Sequence, residues 1–225
     1  MGKPMKIYDN IQEIVKDDMV TTISKGSKVS IAAACFSMYA YKELKKQLDS
    51  VDEFRFIFTS PTFTKEKASK AKREFYIPRL SRETSLYGTE YEIKLRNEMT
   101  QKAIARECAD WIRKKATFKS NITGENMGGF MTVDAPAEQV AYMPIGGFTT
   151  VDIGCERGNN SYNMVNRMEA PFSIQYMQLF ETLWNDKTKM QDVTEEIIES
   201  ISSAYNENPP EFILSLIHIS EPTRP

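Results

Sequence analysis

Histidine is nearly absent from this chain of 225 residues, because it occurs once, as His218. Cysteine is also scarce. Cys35, Cys108 and Cys155 are too widely spaced for a disulfide framework or a close-spaced zinc site, so we expect free thiols and no metal. No apolar run approaches the roughly 20 residues that a membrane-spanning helix needs, and the amino terminus lacks the apolar core of a signal peptide. We therefore predict a cytoplasmic protein without membrane contact.

The single histidine lies in a carboxyl-terminal stretch that is out of place beside the rest of the chain. Residues 214–224 match, without a mismatch, the translation of a transposase adaptor used in short-read library preparation. We therefore interpret residues 214–225 as a sequencing-adaptor artefact and expect the natural sequence to depart from this one after Ile213. Without His218 the chain holds no histidine, which excludes Ser–His–Asp and Cys–His nucleophilic sites.

Charge is divided unevenly along the chain, although the net charge is only −2. Residues 1–119 hold 24 Lys and Arg against 16 Asp and Glu, a balance of +8. Residues 120–225 hold 5 against 15, a balance of −10. A basic half joined to an acidic half suggests that one face meets nucleic acid or another acidic partner.

Two groups of basic residues are the candidates for such a face. The first alternates with aromatic residues, which suits phosphate contacts beside stacking platforms. It consists of Lys70, Lys72, Arg73, Arg79 and Arg82. The second lies at and beyond the end of a predicted long helix, and consists of Arg113, Lys114, Lys115 and Lys119. The alternatives are a solvated loop whose acidic residues partly cancel its charge, and simple complementarity to the helix dipole.

Hydrophobic periodicity predicts an α/β fold. Residues 29–36 and 54–58 are apolar runs that predict buried strands, and residues 37–48 between them predict a helix. This strand–helix–strand unit favours a mainly parallel sheet. Further helices are predicted from about residue 11, with Asp9 or Asn10 as N-cap, and over three later ranges, 90–115, 172–186 and 192–205. The polar residues 155–168 show little periodicity.

The stretch from residue 127 to residue 154 predicts two short strands and a glycine-rich exit loop. Glycine allows a ligand or another backbone to approach closely, so this loop is a candidate binding or catalytic site. Asp134 and Asp152 each follow a predicted strand and would form a carboxylate pair only if they met. Cys155 would be reactive only beside a basic group. We favour solvated turn carboxylates and an inert thiol.

The order of elements resembles the phospholipase D-like fold, a mixed, mainly parallel sheet flanked by helices and here followed by carboxyl-terminal helices. PIGGFTTVDIG, residues 144–154, is similar to that family's Gly-Ser-x-Asn-Phe-Thr-x-x-Gly-Leu-Gly element. Phe148, Thr149 and Gly154 match the family's residues, whereas Gly147 replaces its Asn.

The same resemblance places Met127 at the family's catalytic His and Gly129 at its Lys. Phosphodiester chemistry in this family needs an imidazole nucleophile, a second imidazole as general acid, and lysines that hold the phosphate. The resemblance therefore implies a degenerate site with no catalytic residue.

A wider resemblance covers residues 5–213. NEMTQKAIARECADWIRKKATFKSN and QLFETLWNDKTKMQDVTEEIIESI look like the amino-terminal region of large bacterial Swi/Snf-type, superfamily-two helicases, in which a phospholipase D-like module precedes the motor. It implies a phospholipase D-like domain over residues 1–170 and a helical segment over residues 171–213 that leads toward the motor. DNA and the motor domains of the same parent chain are the implied partners.

The cofactors implied by that resemblance belong to the motor. None of the glycines in this sequence opens a Gly-Lys-Thr or Gly-Lys-Ser phosphate loop, so we expect no cofactor here and ATP with Mg²⁺ only in the motor. The expected role is a non-catalytic module that contributes DNA contact or assembly. The alternatives are a protein-interaction module that forms homodimers without nucleic acid, and an active phosphodiesterase or nuclease, which the lack of histidine disfavours.

Overall fold

One mixed β-sheet organises the chain. The computed structural model describes residues 5–61, 90–157 and 162–206, without the side chains of residues 90–99 and 203–206. The eight strands of these residues have the order β1-β7-β6-β5-β2-β3-β4-β8. The strands are β1 Met5–Tyr8, β2 Lys28–Ala33, β3 Glu53–Phe58, β4 Ala116–Asn121, β5 Phe130–Asp134, β6 Gln139–Met143, β7 Val165–Glu169 and β8 Met190–Asp192. The helices are α1 Val15–Thr22, α2 Met38–Glu43, α3 Lys45–Leu48, α4 Glu90–Lys115, α5 Phe172–Asn185 and α6 Thr194–Asn206.

The predicted class, a mixed sheet flanked by helices, is confirmed, but the prediction of mainly parallel pairing is wrong. Only β2–β3 and β3–β4 are parallel among the described strand pairs. The pairs β2–β5, β5–β6, β6–β7, β1–β7 and β4–β8 are antiparallel. A short turn, residues 135–138, joins β5 to β6, and such a connection allows only antiparallel pairing.

The two faces of the sheet are covered unequally. Successive side chains of a strand point to opposite faces, so Phe56 and Ile57 of β3 enter different hydrophobic clusters. The larger cluster lies between the sheet and helices α1, α2, α3, α4 and α6. The smaller one is covered by α5, which contributes the fully buried Phe180.

The predicted N-cap residues bind backbone amides, but α1 begins later than predicted, at Val15. Asp9 Oδ1 accepts hydrogen bonds of 2.8–3.0 Å from the N–H groups of residues 11–13. Asn10 Oδ1 accepts one of 2.9 Å from the N–H of Val15. The two side chains therefore stabilise an extra turn before the helix. Asn10 adopts a φ of 53°, in the left-handed region.

A cluster of charged and phenolic groups joins helix α1 to the sheet through hydrogen bonds. Asp18 accepts hydrogen bonds of 2.7 Å from the hydroxyls of Tyr8 and Tyr142 and one of 3.0 Å from Arg167 Nε. The guanidinium also pairs with Glu138. Burial alone would lower the pKa of Arg167, but the neighbouring carboxylates raise it. Arg167, which joins these groups, lies on β7, in the segment where the sequence shows little periodicity.

Residues after 170 pack against the same sheet. Helix α5 contacts β5, β6 and β7, β8 pairs with β4, and α6 packs against α4. The predicted helix over 37–48 is interrupted at Leu44, which separates α2 from α3. The boundary at residue 170 stays a prediction, and residues 214–225 lie outside the described residues. No described helix combines the length and the apolar character that crossing a membrane requires.

Candidate functional site

The glycine-rich loop lies at the carboxyl ends of the parallel strands. After β2 the chain continues as residues 34–37, and residues 146–148 run parallel to them. The N–H of Ala34 donates to Gly146 O at 3.0 Å, the N–H of Phe148 to Cys35 O at 2.8 Å, and the N–H of Ser37 to Phe148 O at 2.9 Å. The loop that sequence reasoning selected is therefore an extension of the sheet, at the edge where open α/β sheets usually bind ligands.

Gly129, which the sequence resemblance places at the catalytic lysine of the phospholipase D-like family, is enclosed by backbone. Its carbonyl accepts a hydrogen bond of 2.9 Å from the N–H of Ile145. A Cβ on Gly129 would overlap the carbonyl oxygen of Ile145 and lie 3.2 Å from that of Ala32. No side chain fits at this position without movement of the backbone. Met127, which the resemblance places at the catalytic histidine, packs against the smaller hydrophobic cluster.

Gly147, which the resemblance places at the family's Asn, is surrounded by side chains. A Cβ there would lie 2.5 Å from Cys35 Sγ, 2.8 Å from Asp152 Oδ2 and 3.3 Å from Thr149 Cγ2. These distances are shorter than ordinary van der Waals contacts. The neighbouring side chains therefore already fill the space that a side chain at position 147 would need.

The matched residues Phe148 and Thr149 support the loop from within. The Phe148 ring is fully buried and stacks on Phe36 with 5.7 Å between centroids. Thr149 Oγ1 donates to Asp152 Oδ2 and accepts a hydrogen bond of 3.2 Å from the N–H of Asp152. Both residues stabilise the loop, and neither presents a free side chain to a ligand.

Gly154 fixes the end of the loop against the start of α1. Its φ of +82° lies in the left-handed region, and a Cβ would overlap the side-chain amide of Asn10. Asn10 Nδ2 donates to Asp152 O at 3.2 Å, and the N–H of Lys16 donates to Ile153 O at 3.1 Å. The loop over residues 146–154 is therefore held on both sides, by residues 34–37 and by the residues before α1.

Asp152 is the ionisable group at the centre of the loop. Burial raises the pKa of its carboxyl group, and the Thr149 hydroxyl with the N–H groups of Gly147 and Thr149 only partly opposes that rise. Its side chain also adds to burial in raising the pKa of the Cys35 thiol to about 11. At neutral pH, Cys35 is therefore a protonated thiol.

Cys155 lies beside a basic group, Lys16, and its inertness stays a prediction. Burial raises its pKa to about 11, although Lys16 acts in the opposite direction. The Lys16 ammonium pairs with Glu43, whose carboxylate lies 3.9 Å from Cys155 Sγ. All three cysteines are free, as expected. Within residues 5–61, 90–157 and 162–206, no group of three His, Cys, Asp or Glu is placed to hold a metal ion.

The carboxylate pair considered from the sequence does not form. Asp134 ends β5 opposite Lys28, the first residue of β2, whereas Phe130 at the start of β5 lies opposite Ala32. The loop pairs with this segment only from Ala34 onward, six residues beyond Lys28. At about 3.3 Å per residue, Asp134 therefore lies roughly 20 Å along the sheet from the loop. Its carboxylate accepts a hydrogen bond of 3.0 Å from Gln139.

The structure separates the second group of basic residues. Lys119 donates to the carbonyl of Trp184 at 2.8 Å on the face covered by α5. Lys115 donates to the carbonyl of Val51 at 2.8 Å, and Arg113 pairs with an acidic residue on its own helix at 2.8 Å. Lys114 is exposed.

Lys114 lines a surface depression of about 370 Å³ whose other lining residues are Tyr41, Lys45, Asp49, Glu107, Asp110, Trp111 and Lys115. Three lysines face three carboxylates there, so the depression carries no net charge. The first group of basic residues, Lys70 to Arg82, lies outside the described residues. DNA contact stays a prediction for both groups.

Sequence reasoning missed the roles of Asn10, Cys35 and Asp152 in this site. Thr149 and Asp152 are three residues apart, a spacing at which a hydroxyl and a carboxylate can bond within one turn, and this was a usable signal. Cys35 and Asn10 gave no comparable signal, because they reach the loop only through the packing of β2 and the residues before α1.

Comparisons with known proteins give a limited result. No protein-family model matches this chain, and no curated protein matches it in sequence. Among solved structures, the chain is similar to the phosphatidylserine synthase of Haemophilus influenzae Rd KW20, with a TM-score of 0.44 and 10% sequence identity. The match covers 96% of this chain and 44% of that one. The chain thus spans less than half the length of that protein, and a likeness at this level transfers no function.

Proposed function

We propose that this chain is a non-catalytic phospholipase D-like module of an ATP-dependent DNA helicase or translocase. The close packing of backbone around Gly129 is the observation that best supports the loss of catalysis. The resemblance assigns it the position of the catalytic lysine, and a side chain there would overlap the carbonyl oxygen of Ile145. In this proposal the site lacks the lysine and also the space for one, since the backbone of Ile145 lies where its side chain would begin.

The remaining chemistry of the loop supports the same conclusion. The described residues include no histidine, so the loop offers no imidazole to attack phosphorus or to protonate a leaving group. Two ionisable side chains lie against Gly147. They are Asp152, a carboxylate that would repel a phosphodiester, and Cys35, a thiol that its high pKa keeps protonated.

The proposed DNA role rests on charge. The +8 balance of residues 1–119 and the alternation of basic with aromatic residues in the first group favour contact with a phosphate backbone. In this proposal the module positions a motor whose ATP and Mg²⁺ sites lie outside this sequence. A Gly-Lys-Thr loop and an Asp-Glu-x-His motif in the genomic reading frame beyond Ile213 would support the bacterial helicase parent. A reading frame that ends without them would contradict it.

Fluorescence anisotropy with a labelled DNA duplex tests the DNA role. We expect binding that weakens steeply as salt rises, and that weakens to a similar extent for unrelated DNA sequences when Arg73, Arg79 and Arg82 are changed to Glu. Lys187→Glu, at an exposed position in the acidic half, is the matched control and should change little. If the chain does not bind DNA even at low salt, the DNA role is lost.

A nuclease assay tests the loss of catalysis separately. Prolonged incubation of labelled DNA with the chain and a metal chelator should leave the DNA intact. Cleavage that copurifies with the chain and disappears on Gly129→Ala substitution would overturn the assignment of a non-catalytic site.

A second candidate function is a protein-interaction module that forms homodimers. The observation in its favour is the exposure of apolar residues in α5 and β1: Phe172 is 49% exposed, Leu179 45% and Met5 50%. Such residues are typical of contact surfaces when they are contiguous. Sedimentation at increasing concentration distinguishes the candidates, because a strict monomer contradicts the homodimer.

A further inference from the structure

Strand β1 forms one edge of the sheet and has an open side. It stands at the end of the strand order, and among the described strands it pairs with β7 alone. Successive residues of an antiparallel strand direct their N–H and C=O groups to opposite sides, so half of these groups in residues 5–8 point away from β7. Such an edge is completed by another extended strand. The kind of partner that fits β1 is therefore a β-strand.

The opposite edge, β8, is protected in ways that β1 is not. β8 has three residues, and the N–H of Met190 already donates to Asp186 O at 2.9 Å. Met190 is buried, and Asp192 presents an exposed charge. Short length and charge are usual means by which sheet edges avoid pairing. In β1, by contrast, Met5 is 50% exposed and Ile7 46%.

The exposed apolar side chains of β1 lie on one face of the sheet. Tyr8 belongs to the larger hydrophobic cluster, and side chains alternate between faces along a strand. Met5 and Ile7 therefore share the opposite face, which α5 covers over β5, β6 and β7. A two-fold axis perpendicular to the sheet would keep this face common to two copies of the chain. The apolar side chains of both edges would then meet on it.

The charges around β1 favour antiparallel pairing of this strand with itself. Lys6 lies near its start, whereas Asp9 and Glu13 follow its end. Antiparallel pairing places the lysine of one copy beside the acidic end of the other, while parallel pairing in register would place like charges together. The ion pair of Lys6 with Glu13 in its own chain, at 3.2 Å, leaves both side chains about half exposed. Both groups thus remain accessible to a second copy.

The side chains also select a register. Two registers centred on the inner residues of β1 keep matching faces together. In one of them Lys6 lies opposite itself, and two ammonium groups directly opposite each other are destabilising. In the other, Ile7 lies opposite itself and Lys6 lies opposite Tyr8 of the second copy. Within one chain, Lys6 Nζ already lies 4.5 Å from the centroid of the Tyr8 ring, a contact that suits both groups.

We propose that two copies of this chain pair through β1, antiparallel and with Ile7 opposite Ile7, so that their sheets become one continuous sheet. A second copy supplies in a single strand both the complementary charges and the apolar residue at the axis. The proposal rests on the second candidate function, the homodimer, and names its contact. It is independent of DNA binding.

Sedimentation velocity over a concentration series tests the contact with Ile7→Lys. This substitution places two ammonium groups at the axis, so we expect the apparent dissociation constant of the dimer to rise at least about tenfold. Ile122→Lys is the matched control, because Ile122 is 42% exposed and follows β4, far along the strand order from β1. It should change the dissociation constant by less than about twofold.

Cysteine cross-linking tests the register with variants that do not add charge. Ile7→Cys should form an intermolecular disulfide under mild oxidation, because residues directly opposite across a strand pair have Cβ atoms about 4.5–5.5 Å apart. Lys6→Cys should cross-link much less, since position 6 lies opposite Tyr8 of the second copy. The unsubstituted chain, with its three free cysteines, gives the background. This test also decides the proposal if Ile7→Lys does not fold by circular dichroism.

The outcomes separate this proposal from the homodimer candidate. A dimer that Ile7→Lys leaves unchanged, or that Ile122→Lys weakens equally, would overturn the β1 contact and leave the homodimer standing. A dimer that cross-links through Lys6→Cys in preference to Ile7→Cys would do the same. A strict monomer at every concentration would overturn both.

Discussion

Asp9 and Asp152 lie on neighbouring loops, and each carboxylate accepts hydrogen bonds from its own loop. Asp9 accepts three such hydrogen bonds in an exposed position, and they lower the pKa of its carboxyl group. Asp152 has similar neutral donors, but burial raises its pKa. The donors favour the ionised form in both cases, so desolvation decides the direction. Asp9 therefore stabilises a turn, whereas ionised Asp152 carries a desolvation penalty that its donors do not fully offset.

The largest expected effect is at Gly129, which the backbone of Ile145 and Ala32 encloses. Gly129→Ala should lower the free energy of unfolding by about 3 kcal/mol, because the added methyl group overlaps the Ile145 carbonyl and forces the backbone apart. Gly128→Ala is the matched control. A Cβ on Gly128 meets nothing within 4 Å, so we expect a change within about 0.5 kcal/mol. Urea denaturation measures both, and equal losses would contradict the enclosure.

A smaller effect is expected where the two loops are joined, at Asn10. Asn10→Ala removes hydrogen bonds to Val15 and Asp152 and places alanine at a φ of 53°. It should cost about 1–2 kcal/mol of unfolding free energy. Asn10→Gly loses the same hydrogen bonds but accepts the left-handed φ, so it should cost less. Thermal unfolding that ranks alanine at or above glycine in stability would refute the role of the backbone conformation.

The pH dependence of stability should distinguish the two aspartates, and Asp152 should give the larger effect. Because its folded-state pKa is raised, the folded chain holds this proton more tightly than the unfolded chain. Its contribution is therefore most favourable below the ordinary aspartate pKa of 3.8 and declines as pH rises from there through the folded-state value. Asp152→Asn cannot titrate, so its melting temperature relative to the unsubstituted chain should rise between acidic and neutral pH. A constant difference would show that burial does not govern this carboxyl group.

Asp9 should give the smallest effect and the opposite sign. Its folded-state pKa is lowered, so its stabilisation is present above the ordinary pKa of 3.8 and is lost as pH falls. Asp9→Asn should therefore reduce stability at neutral pH and have less effect in acid. Melting curves of Asp9→Asn and Asp152→Asn over one pH series measure both slopes, and slopes of the same sign would contradict the distinction between the two aspartates.

Much of the fold could be predicted from the sequence because its central elements have strong apolar patterns. The strands β2, β3, β5 and β6 and the helices α4, α5 and α6 fall close to the predicted ranges. The edge strand β1, the short β8 and the polar β7 were missed, since pairing with neighbours rather than local composition makes them strands. β7 contains Asn166 and Glu169, which are residue types that are uncommon in strands.

The position of the candidate loop could be predicted from the sequence, but the arrangement of its side chains could not. The glycines after β6 correctly indicated a loop in close contact with another backbone, since Gly146 O accepts a hydrogen bond of 3.0 Å from the N–H of Ala34. The inward position of Asp152 could not be predicted, because it depends on Cys35, Thr149 and Asn10 meeting around one turn. Side chains from three separate segments set that environment, and spacing along one segment does not encode it.

The two tryptophans of the chain lie on opposite faces of the sheet. Trp111 is buried on the thickly covered face, where its indole N–H donates to the carbonyl of Leu48 at 3.1 Å. Trp184 is half-buried on the other face, with the Lys119 ammonium 4.4 Å from its ring. Each layer thus contains its own intrinsic fluorophore, in a different electrostatic environment. Replacing either indole with phenylalanine leaves emission from one layer, so the unfolding of the thin α5 layer can be timed against that of the thick one.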